Sequence, residues 1–363
     1  MKICVFHNLK PGGALNEALE IINILSKNNQ VHIYSHNKSI RHPKSKLFLF
    51  PINKTENIFQ HLHQAIFELN KSELHIANLI NSRKYDFIII FPCIIVQTPH
   101  ILKYIDKNHI YFFTEPKREF YEMTNFDHYS IKKMLARIIR FPIKIIDKIN
   151  CKKAINIATN SYYSNHQLFK IYNKKGFVLY PGLKNNKPKL IMVKNNKNII
   201  SIGQVSMIKG HDFSIKQLSK TKHTLNIIGR YSIDKDFLIN LSNQLKTKLK
   251  IYNTENNKLK NKLLLKHSMY LANQLNEPFG ISTLEACNNN RILLGKNEGG
   301  TPEIIKHGLN GLLYPNSIHI SRNVLSDNLK DTKYIYNTSK INWKHTTQSL
   351  LRLYHYLKNE PNE

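Results

Sequence analysis

Acidic residues are scarce in this chain. Its 363 residues contain 24 Asp and Glu against 54 Lys and Arg, which leaves a formal charge of +30. Such a surface favours anionic partners, including phosphorylated ligands, nucleic acid and lipid headgroups. The abundance of Lys, Asn and Ile is also the bias that an AT-rich genome imposes, so function need not account for all of this charge.

Cysteines and long apolar runs are also scarce. The 4 cysteines are widely scattered, without a C-x-x-C pair or neighbouring ligands that would complete a zinc site. A disulfide scaffold or structural zinc is therefore not expected. The longest apolar stretch, Phe87 to Val96, is interrupted by Pro92, whereas a membrane span needs roughly 20 apolar residues. Since the start MKICVFHN lacks the apolar region of a signal peptide, we expect a cytoplasmic location.

The hydrophobic content of 41% suffices for a core and excludes disorder of the whole chain. Short β-type runs alternate with helical patterns, which predicts an α/β fold with parallel sheets. Residues 184–197 are rich in Asn, Lys and Pro, as expected of a linker. We therefore predict two Rossmann-like doubly wound domains, 1–183 and 198–345, facing across a ligand-binding cleft. A C-terminal helix at 346–363 is expected to pack back toward the first domain.

The segment from Asn276 to Gly311 carries the densest set of chemistry-bearing residues. It places Glu277 and Glu285 eight residues apart around a glycine turn. Gly280 permits close backbone approach where a helix begins, and the positive end of a helix dipole suits a diphosphate. The carboxylates could then accept hydrogen bonds from sugar and ribose hydroxyls. Taken alone, the spacing fits equally well a surface helix residue at Glu285 and a turn residue at Glu277.

This segment resembles the E-x7-E motif of retaining GT-B glycosyltransferases, the large family four. The match includes the Glu-x-Phe-Gly core and the following Glu-Ala, and continues through Gly299-Gly300 and Gly308-x-x-Gly311. The resemblance implies that Glu277 holds hydroxyls of the transferred sugar and that Glu285 holds the ribose. It also implies backbone contacts to sugar and phosphate from Phe279, Gly280 and Ile281.

A second block, SIGQVSMIKG at 201–210, resembles the family's Gly-Arg-x4-Lys-Gly loop. Gly203 and Lys209 match, and the resemblance implies that Lys209 neutralises the leaving diphosphate. Gln204 stands in place of the arginine. Because glutamine lacks the charge and the bidentate fork of arginine, weaker diphosphate stabilisation is expected unless another lysine compensates.

Two further blocks lie in the first half of the chain. Gly12 and Gly13, between the first strand and the first helix, resemble the family's acceptor-domain glycine loop, although a plain turn would use the same residues. In YFFTEPKREFYE at 111–122, Thr114 stands where the family has a histidine close to the transferred sugar. A hydroxyl can hydrogen-bond a sugar but cannot hold a proton charge near neutral pH. The resemblance implies donor contacts for both glycines and a sugar contact for Thr114.

The resemblance as a whole implies a transferase that moves a hexose from a nucleoside diphosphate sugar to a hydroxyl acceptor with retention. A carbohydrate or lipid-linked acceptor in surface polysaccharide or lipopolysaccharide assembly fits a basic enzyme at the inner membrane face. The catalytic roles fall to Glu277, Lys209 and Thr114, which act by positioning and electrostatic stabilisation. No metal or other cofactor is required, since the nucleotide sugar is a substrate.

Alternatives stay open. Gln204 and Thr114 are compatible with a degenerate member that binds donor without turnover. A nucleotide-sugar 2-epimerase would use the same cleft, but its acid and base carboxylates cannot be placed. The charge of +30 could indicate a nucleic-acid-binding protein, although Lys outnumbers Arg and aromatics are not interleaved with the basic runs. The tripeptide Asp234-Lys235-Asp236 matches a metal-binding D-x-D signature, but we expect it to cap a helix.

Residues 131–153 alternate basic and apolar side chains at helical spacing, interrupted at Pro142. Two interpretations are equally supported. One is a domain helix with a core face and a solvated basic face, and the other is a helix lying on an anionic membrane surface.

Overall fold

The computed structural model describes residues 1–37, 44–122, 131–183, 198–219, 221–254, 256–289, 291–315 and 342–359. The chain divides into two compact units, residues 1–182 with 343–363, and residues 183–342. The linker expected at 184–197 lies outside the described residues. The C-terminal helix begins at Trp343, so residues 343–345 belong to the first unit and not to the second.

The first unit contains a seven-stranded parallel sheet with the order β3-β2-β1-β4-β5-β6-β7. The strand β4 reads FIIIFPC and is buried at every position, as is typical of a strand covered on both faces. The strands are β1 (Lys2–Asn8), β2 (Gln30–Ser35), β3 (Ser45–Leu49), β4 (Phe87–Cys93), β5 (Ile110–Phe113), β6 (Asn156–Thr159) and β7 (Phe177–Val178).

Along the chain, the helices of the first unit are interspersed with the strands of this sheet. A π-helical turn at Gln64–Glu68 joins two of them into one helical run, and a 3₁₀ turn covers His100–Lys103. The helices are α1 (Gly13–Leu25), α2 (Ile58–His63), α3 (Leu69–Asn81), α4 (Arg118–Tyr121), α5 (Ile131–Ile139), α6 (Phe141–Lys153), α7 (Tyr162–Tyr172) and, after the second unit in sequence, α13 (Trp343–Asn359).

The helix α13 completes the first unit. It packs on α1, and the ring of Tyr354 stacks on Phe87 of the central strand β4 with centroids 4.3 Å apart. Trp343 and Leu350 are buried with it. Burying one such side chain contributes about 1.5–3 kcal/mol, which anchors the end of the chain to this core.

The second unit contains a six-stranded sheet with the order β10-β9-β8-β11-β12-β13. Its strands are β8 (Asn198–Ile202), β9 (Thr224–Ile228), β10 (Lys248–Tyr252), β11 (Met269–Ala272), β12 (Ile292–Lys296) and β13 (Gly311–Tyr314), and its helices are α8 (His211–Leu218), α9 (Lys235–Gln244), α10 (Asn257–Lys266), α11 (Ile281–Asn288) and α12 (Thr301–Ile304). The pairs β8 with β9 and β8 with β11 are parallel. The carboxyl ends of these three strands therefore meet at one edge of the sheet, where ligands bind in open α/β sheets.

The expected α/β class with two Rossmann-like units is confirmed. No helix of the described residues is long and apolar enough to cross a membrane. The helix α6 ends at Lys153, and Ala154 takes an extended conformation with φ −64° and ψ 123°. Residues 156–159 form the strand β6, which pairs with β5. A strand of four residues is too short to show a period of its own, so only its pairing reveals it.

Candidate functional site

Tight backbone packing shapes the loop that follows β8. Gly210, between a 3₁₀ turn and α8, has φ +67°, and a Cβ added there would lie 1.8 Å from the carbonyl oxygen of Asn273. Only glycine fits this position, because both the left-handed conformation and the approach to the β11 loop exclude a side chain. The amide of Leu275 in that loop also donates to the Ile208 carbonyl at 3.1 Å. The loops after β8 and β11 are thus fastened to each other.

This fastening brings together two of the predicted residues. Lys209 Nζ lies 2.6 Å from Glu277 Oε2, and the lysine side chain is 27% exposed against 17% for the glutamate. The stem of Lys209 packs over Gly203, whose added Cβ would lie 3.2 Å from Lys209 Cγ. A charge-assisted pair that is partly shielded from water is stronger than a fully exposed one. It also stays accessible enough for an anionic ligand to compete for the lysine.

The turn after β12 holds the backbone around Glu277. The amide of Gly300 donates to the Glu277 carbonyl at 2.7 Å. Glu298 accepts from the amide of Asn276 at 2.9 Å through Oε1, and its Oε2 lies 3.1 Å from Lys296 Nζ. Lys296 is almost fully buried, with its ammonium 4.8 Å from the centre of the Phe213 ring. Lys296 thus holds one carboxylate oxygen of Glu298, and the other oxygen positions the backbone of Asn276.

The helix α11 starts directly after this segment. Gly280 has φ +100° and ψ 61° at its N-cap, and α11 begins at Ile281. The partial positive charge of a helix N-terminus extends over its first turn, so this end of α11 favours an anion close to Glu277. Phe279 is 4% exposed and belongs to the core, so its side chain anchors the turn, and only its backbone is available for the predicted contacts.

Glu285 lies on α11, one turn from the start, and has a partner that the sequence did not reveal. Lys260 Nζ on α10 contacts both of its carboxylate oxygens, at 2.8 and 2.9 Å. Both side chains are partly exposed. A carboxylate has about four acceptor positions, so Glu285 can accept from a ribose hydroxyl while Lys260 stays bound.

His211, the first residue of α8, holds the loop after β8 in place. It is fully buried, and burial lowers its pKa to about 4. The neutral ring lies with Nε2 3.0 Å from the carbonyl oxygen of Gln204, so Nε2–H donates to that carbonyl. Gln204 itself is exposed, which leaves its side-chain amide in solvent at the position of the family's arginine.

The D-x-D tripeptide does not act as the expected helix cap. Asp234 occupies the N-cap position of α9 but makes no side-chain cap bond there. Its Oδ2 instead accepts from the amide of Met207 at 3.0 Å and so steadies the 3₁₀ turn that carries Lys209. Among the described residues, no group of three or more His, Cys, Asp and Glu side chains is placed to hold a metal ion.

The other predicted residues lie in the first unit. Gly12 and Gly13 stand at the start of α1, after β1, and Thr114 follows β5. Thr114 is 6% exposed, and its carbonyl accepts from Ser164 Oγ at 2.6 Å. Ser164 Oγ also lies 2.8 Å from Asn160 Oδ1, so a short polar chain supports the end of β5.

Two buried groups in this part of the first unit, Glu17 and His7, have pKa values shifted toward the neutral form. Glu17 on α1 is 2% exposed, and burial raises its pKa to about 8 although Asn160 hydrogen-bonds to it. Among the described residues none donates to or accepts from its Oε1. His7, near the end of β1, is fully buried, and burial together with His36 lowers its pKa to about 3.

Sequence reasoning missed the residues that support the site. Lys260 is one of several similar lysines in NKLKNKLLLK, so nothing in the sequence distinguishes it. His211, Asp234 and Glu298 act through backbone groups that are brought near only by the fold. The spacing of residues in the sequence does not indicate these three contacts, because each of the three partners lies on another element.

Comparison with known proteins bears on the family and the fold. Residues 183–340 match the family described as "Glycosyl transferases group 1". No curated protein matches the sequence. Among solved structures, similarity extends over nearly the full length of each chain, at identities that establish the fold alone.

Three of these structures are informative. Sucrose-phosphate synthase from Thermosynechococcus elongatus superposes with a TM-score of 0.76 at 12% identity, covering 98% of this chain and 99% of that one. HepE from Anabaena, in complex with UDP-glucose, gives a TM-score of 0.69 at 16% identity, covering 98% and 100%. The lipopolysaccharide outer core galactosyltransferase WaaB, in its apo form, gives 0.65 at 15% identity, covering 99% and 100%.

The matched residues 183–340 coincide with the second unit, which carries Lys209, Glu277 and Glu285. The superpositions over nearly the whole length show that this chain shares the fold of these neighbours. The second unit of this chain therefore matches the glycosyl transferases group 1 family, and the chain has the GT-B fold of glycosyltransferases.

Proposed function

We propose that this enzyme transfers a hexose from a nucleoside diphosphate sugar to a hydroxyl acceptor with retention at the anomeric carbon. The observation that carries the proposal is the ion pair between Lys209 Nζ and Glu277 Oε2, 2.6 Å long, beside the N-terminus of α11. This arrangement sets a cation and a helix dipole for a diphosphate next to a carboxylate for sugar hydroxyls. That HepE was crystallised with UDP-glucose is consistent with such a donor.

Donor binding opens the ion pair in this account. The diphosphate takes Lys209 as its partner, and the freed carboxylate of Glu277 accepts hydrogen bonds from the sugar hydroxyls. Glu285, steadied by Lys260, accepts from the ribose. The backbone of Gly203, Gln204, Gly280 and Ile281 lies at the same edge of the sheet and lines the donor. Lys209 and Glu277 each exchange one partner for another. The ammonium and the carboxylate are therefore never left buried without a partner.

The transfer step is an exchange of one bond for another. The bond between the anomeric carbon and the diphosphate oxygen breaks, and the acceptor oxygen bonds to the same carbon on the same face. The acceptor proton moves to the departing phosphate oxygen, so the products are the glycoside and the nucleoside diphosphate. Lys209 and the α11 dipole stabilise the charge that develops on the leaving group. On this account no metal is required, and Thr114, Gly12 and Gly13 of the first unit keep the roles that the resemblance implies.

The acceptor is proposed to be a carbohydrate or lipid-linked hydroxyl in surface polysaccharide or lipopolysaccharide assembly. WaaB, a lipopolysaccharide outer core galactosyltransferase, shares the fold over the whole chain, which supports this class of acceptor. One observation favours a second candidate, a family member that binds donor without turnover: the exposed Gln204 supplies no positive charge where the family has arginine.

A donor screen tests the proposal. Purified enzyme is incubated with UDP-, GDP- and ADP-sugars, with and without membrane extract as acceptor, and release of nucleoside diphosphate is measured. Glu277→Gln is compared with a control, Glu68→Gln, which changes an exposed carboxylate of the first unit. We expect saturable release from one donor class, lost in Glu277→Gln and kept in Glu68→Gln. Binding without release would favour the second candidate, and binding of no donor would contradict both.

A further inference from the structure

A depression on the surface of the first unit takes no part in the proposed donor binding. It has a volume of about 560 Å³ and lies between the loop at 53–56 and one face of the helical run that begins with α2. Its lining includes Asn53, Lys54, Glu56, Phe59, Gln60 and Gln64. The opposite face of the run carries Leu62, Ala65 and Leu69, which pack into a core cluster. The core therefore uses one face of this run and not the other.

Two glutamine side chains hold the loop and keep polar atoms free for a ligand. Gln64 Nε2 donates to the Asn53 carbonyl at 2.7 Å, and the amide of Glu56 donates to Gln60 Oε1 at 2.8 Å. Gln64 is only 4% exposed, and its Oε1 accepts no hydrogen bond from the described residues. The side chain of Asn53 is exposed and likewise has no partner among them. A hydroxyl in the depression would therefore find acceptors and donors already fixed in place.

Charge narrows the class of ligand. The whole chain carries +30, whereas the described lining of the depression contains one lysine, Lys54, and no arginine. Sites for phosphate and other anions use clusters of Arg and Lys. This depression instead presents carboxamides and the carboxylate of Glu56, which exchange hydrogen bonds with hydroxyl groups. An uncharged ligand rich in hydroxyls therefore fits it better than an anion.

An exposed aromatic ring completes the depression. The side chain of Phe59 is 68% exposed although it forms part of the lining. The C–H face of a sugar ring packs against the electron-rich face of an aromatic ring, and covering that ring also removes apolar surface from water. The π-helical turn at Gln64–Glu68 lies in the same helical run, and such turns are rare and occur frequently at functional sites. A flat apolar face beside fixed amides suits a saccharide.

We propose that this depression binds an uncharged sugar unit of the acceptor, with Phe59 stacked on its C–H face and the amides of Gln60 and Gln64 on its hydroxyls. The choice of a saccharide rests on the proposed function, in which a carbohydrate receives the hexose. The loop at 53–56 follows β3, which stands two strand positions from β1, roughly 10 Å at the usual strand spacing. The bound sugar unit is therefore remote from the hydroxyl that receives the hexose, and it selects the acceptor by its neighbouring sugar.

Saturation-transfer NMR tests the site. Full-length enzyme is titrated with neutral disaccharides of glucose, galactose, mannose and N-acetylglucosamine, and with glucose 6-phosphate and a heparin disaccharide as anionic comparators. Irradiation of the aromatic protons of the protein should transfer saturation to the C–H protons of at least one neutral disaccharide. We expect that binding to be tighter than binding of the anionic comparators and to change little with salt, because no ion pair is involved.

Two variants separate stacking from hydrogen bonding. Phe59→Leu keeps an apolar, helix-forming residue but removes the flat ring, and it should weaken disaccharide binding about tenfold. Asn53→Ala removes an exposed amide but keeps the carbonyl that accepts from Gln64, and it should weaken binding about fivefold. The matched control, Phe67→Leu, changes a phenylalanine that is 61% exposed on the same helical run outside the depression, and it should bind like the wild type.

Release of nucleoside diphosphate from the donor panel is measured on the same wild-type sample, so that the two proposals fail separately. Disaccharide binding that is lost in Phe59→Leu, without release from any donor, would support this site and contradict the proposed function. The site itself is overturned if no neutral disaccharide binds or if Phe59→Leu binds as tightly as the wild type. It is also overturned if the anionic comparators bind more tightly than every neutral disaccharide.

Discussion

The two units share one strand order but differ in the charges near the carboxyl ends of their strands. Both sheets place the first strand of the unit third, next to its fourth strand. In the second unit this edge carries ion pairs that are partly exposed, Lys209 with Glu277 and Lys260 with Glu285. In the first unit the buried His7 and Glu17 are held neutral, although the partly exposed pair of Arg118 with Glu115 also follows β5.

Under the proposed function, this difference lets one architecture serve two kinds of ligand. Partly exposed ion pairs can be exchanged for a charged donor at little cost, because each charge finds a new partner. Neutral, desolvated groups suit a hydroxyl-bearing ligand, since they hydrogen-bond without strong long-range charge. The fold sets the edge where ligands bind, and the side chains after each strand set the chemistry.

Removing the Lys209 ammonium should lower kcat more than any of the other changes to the second unit. Lys209→Met keeps the apolar stem over Gly203 but deletes the ammonium. We expect kcat to fall about 100- to 1,000-fold, as for loss of one preorganised charge at a leaving group. Steady-state release of nucleoside diphosphate measures this. Lys235→Met, at an exposed pair with Asp236, is the control, and an equal loss there would contradict a specific role for Lys209.

Replacing the buried carboxyl tests the neutral character of the first unit. Glu17 has a raised pKa of about 8, so it favours folding most below about pH 4.5, and this contribution is lost as pH rises through 8. Glu17→Gln should therefore be more stable than the wild type by about 4 kcal/mol at pH 8 and equally stable near pH 4. Urea unfolding at both pH values checks this. A stability difference independent of pH would mean that Glu17 is ionised in the fold.

Weakening the contacts that hold the backbone beside Glu277 should lower kcat by a smaller factor. Glu298→Gln weakens the bond to Lys296 but keeps an oxygen for the Asn276 amide. We expect about a tenfold loss in kcat, near 1.4 kcal/mol, with little change in affinity for free nucleoside diphosphate. Kinetics and calorimetry on one preparation separate the two quantities. A parallel loss of diphosphate affinity would show that Glu298 supports the whole loop instead.

Restoring the family's arginine should have the smallest effect. Gln204→Arg adds a charge at an exposed position, while the carbonyl that accepts from His211 stays in place. We expect up to about a fivefold gain in kcat, since an exposed charge contributes about 1 kcal/mol or less. Nucleoside diphosphate release at low and high salt checks this, because the gain should shrink with salt. No gain at low salt would indicate that a lysine already compensates.

Much of the fold follows from the sequence because its signals are local. The strands Asn198–Ile202 and Thr224–Ile228, for example, are short segments rich in Ile and Leu, as is typical of buried strands. The strand Asn156–Thr159 was missed, because only its pairing with β5 distinguishes it from the end of a helix. Motif spacing likewise gave Glu277 and Lys209, but their contact depends on the packing of two loops.

The residues that hold Glu285 and the turn carrying Lys209 in place could not be predicted from the sequence for the same reason. Lys260 reaches Glu285 from a neighbouring helix, and Asp234 reaches the amide of Met207 across 27 residues of sequence. No periodicity encodes such contacts, since they depend on how elements pack. The buried state of Glu17 was equally hidden, because a glutamate on an amphipathic helix is ordinarily exposed.

The most direct test of the exchange between ion pair and donor is calorimetry of wild type and Glu277→Gln with a nucleoside diphosphate and with the matching nucleotide sugar. The account predicts that the variant binds the free diphosphate at least as tightly as the wild type, because Lys209 no longer has to leave a carboxylate. It also predicts that the variant loses the additional affinity that the sugar provides. An equal loss for both ligands, or unchanged binding of both, would contradict the account.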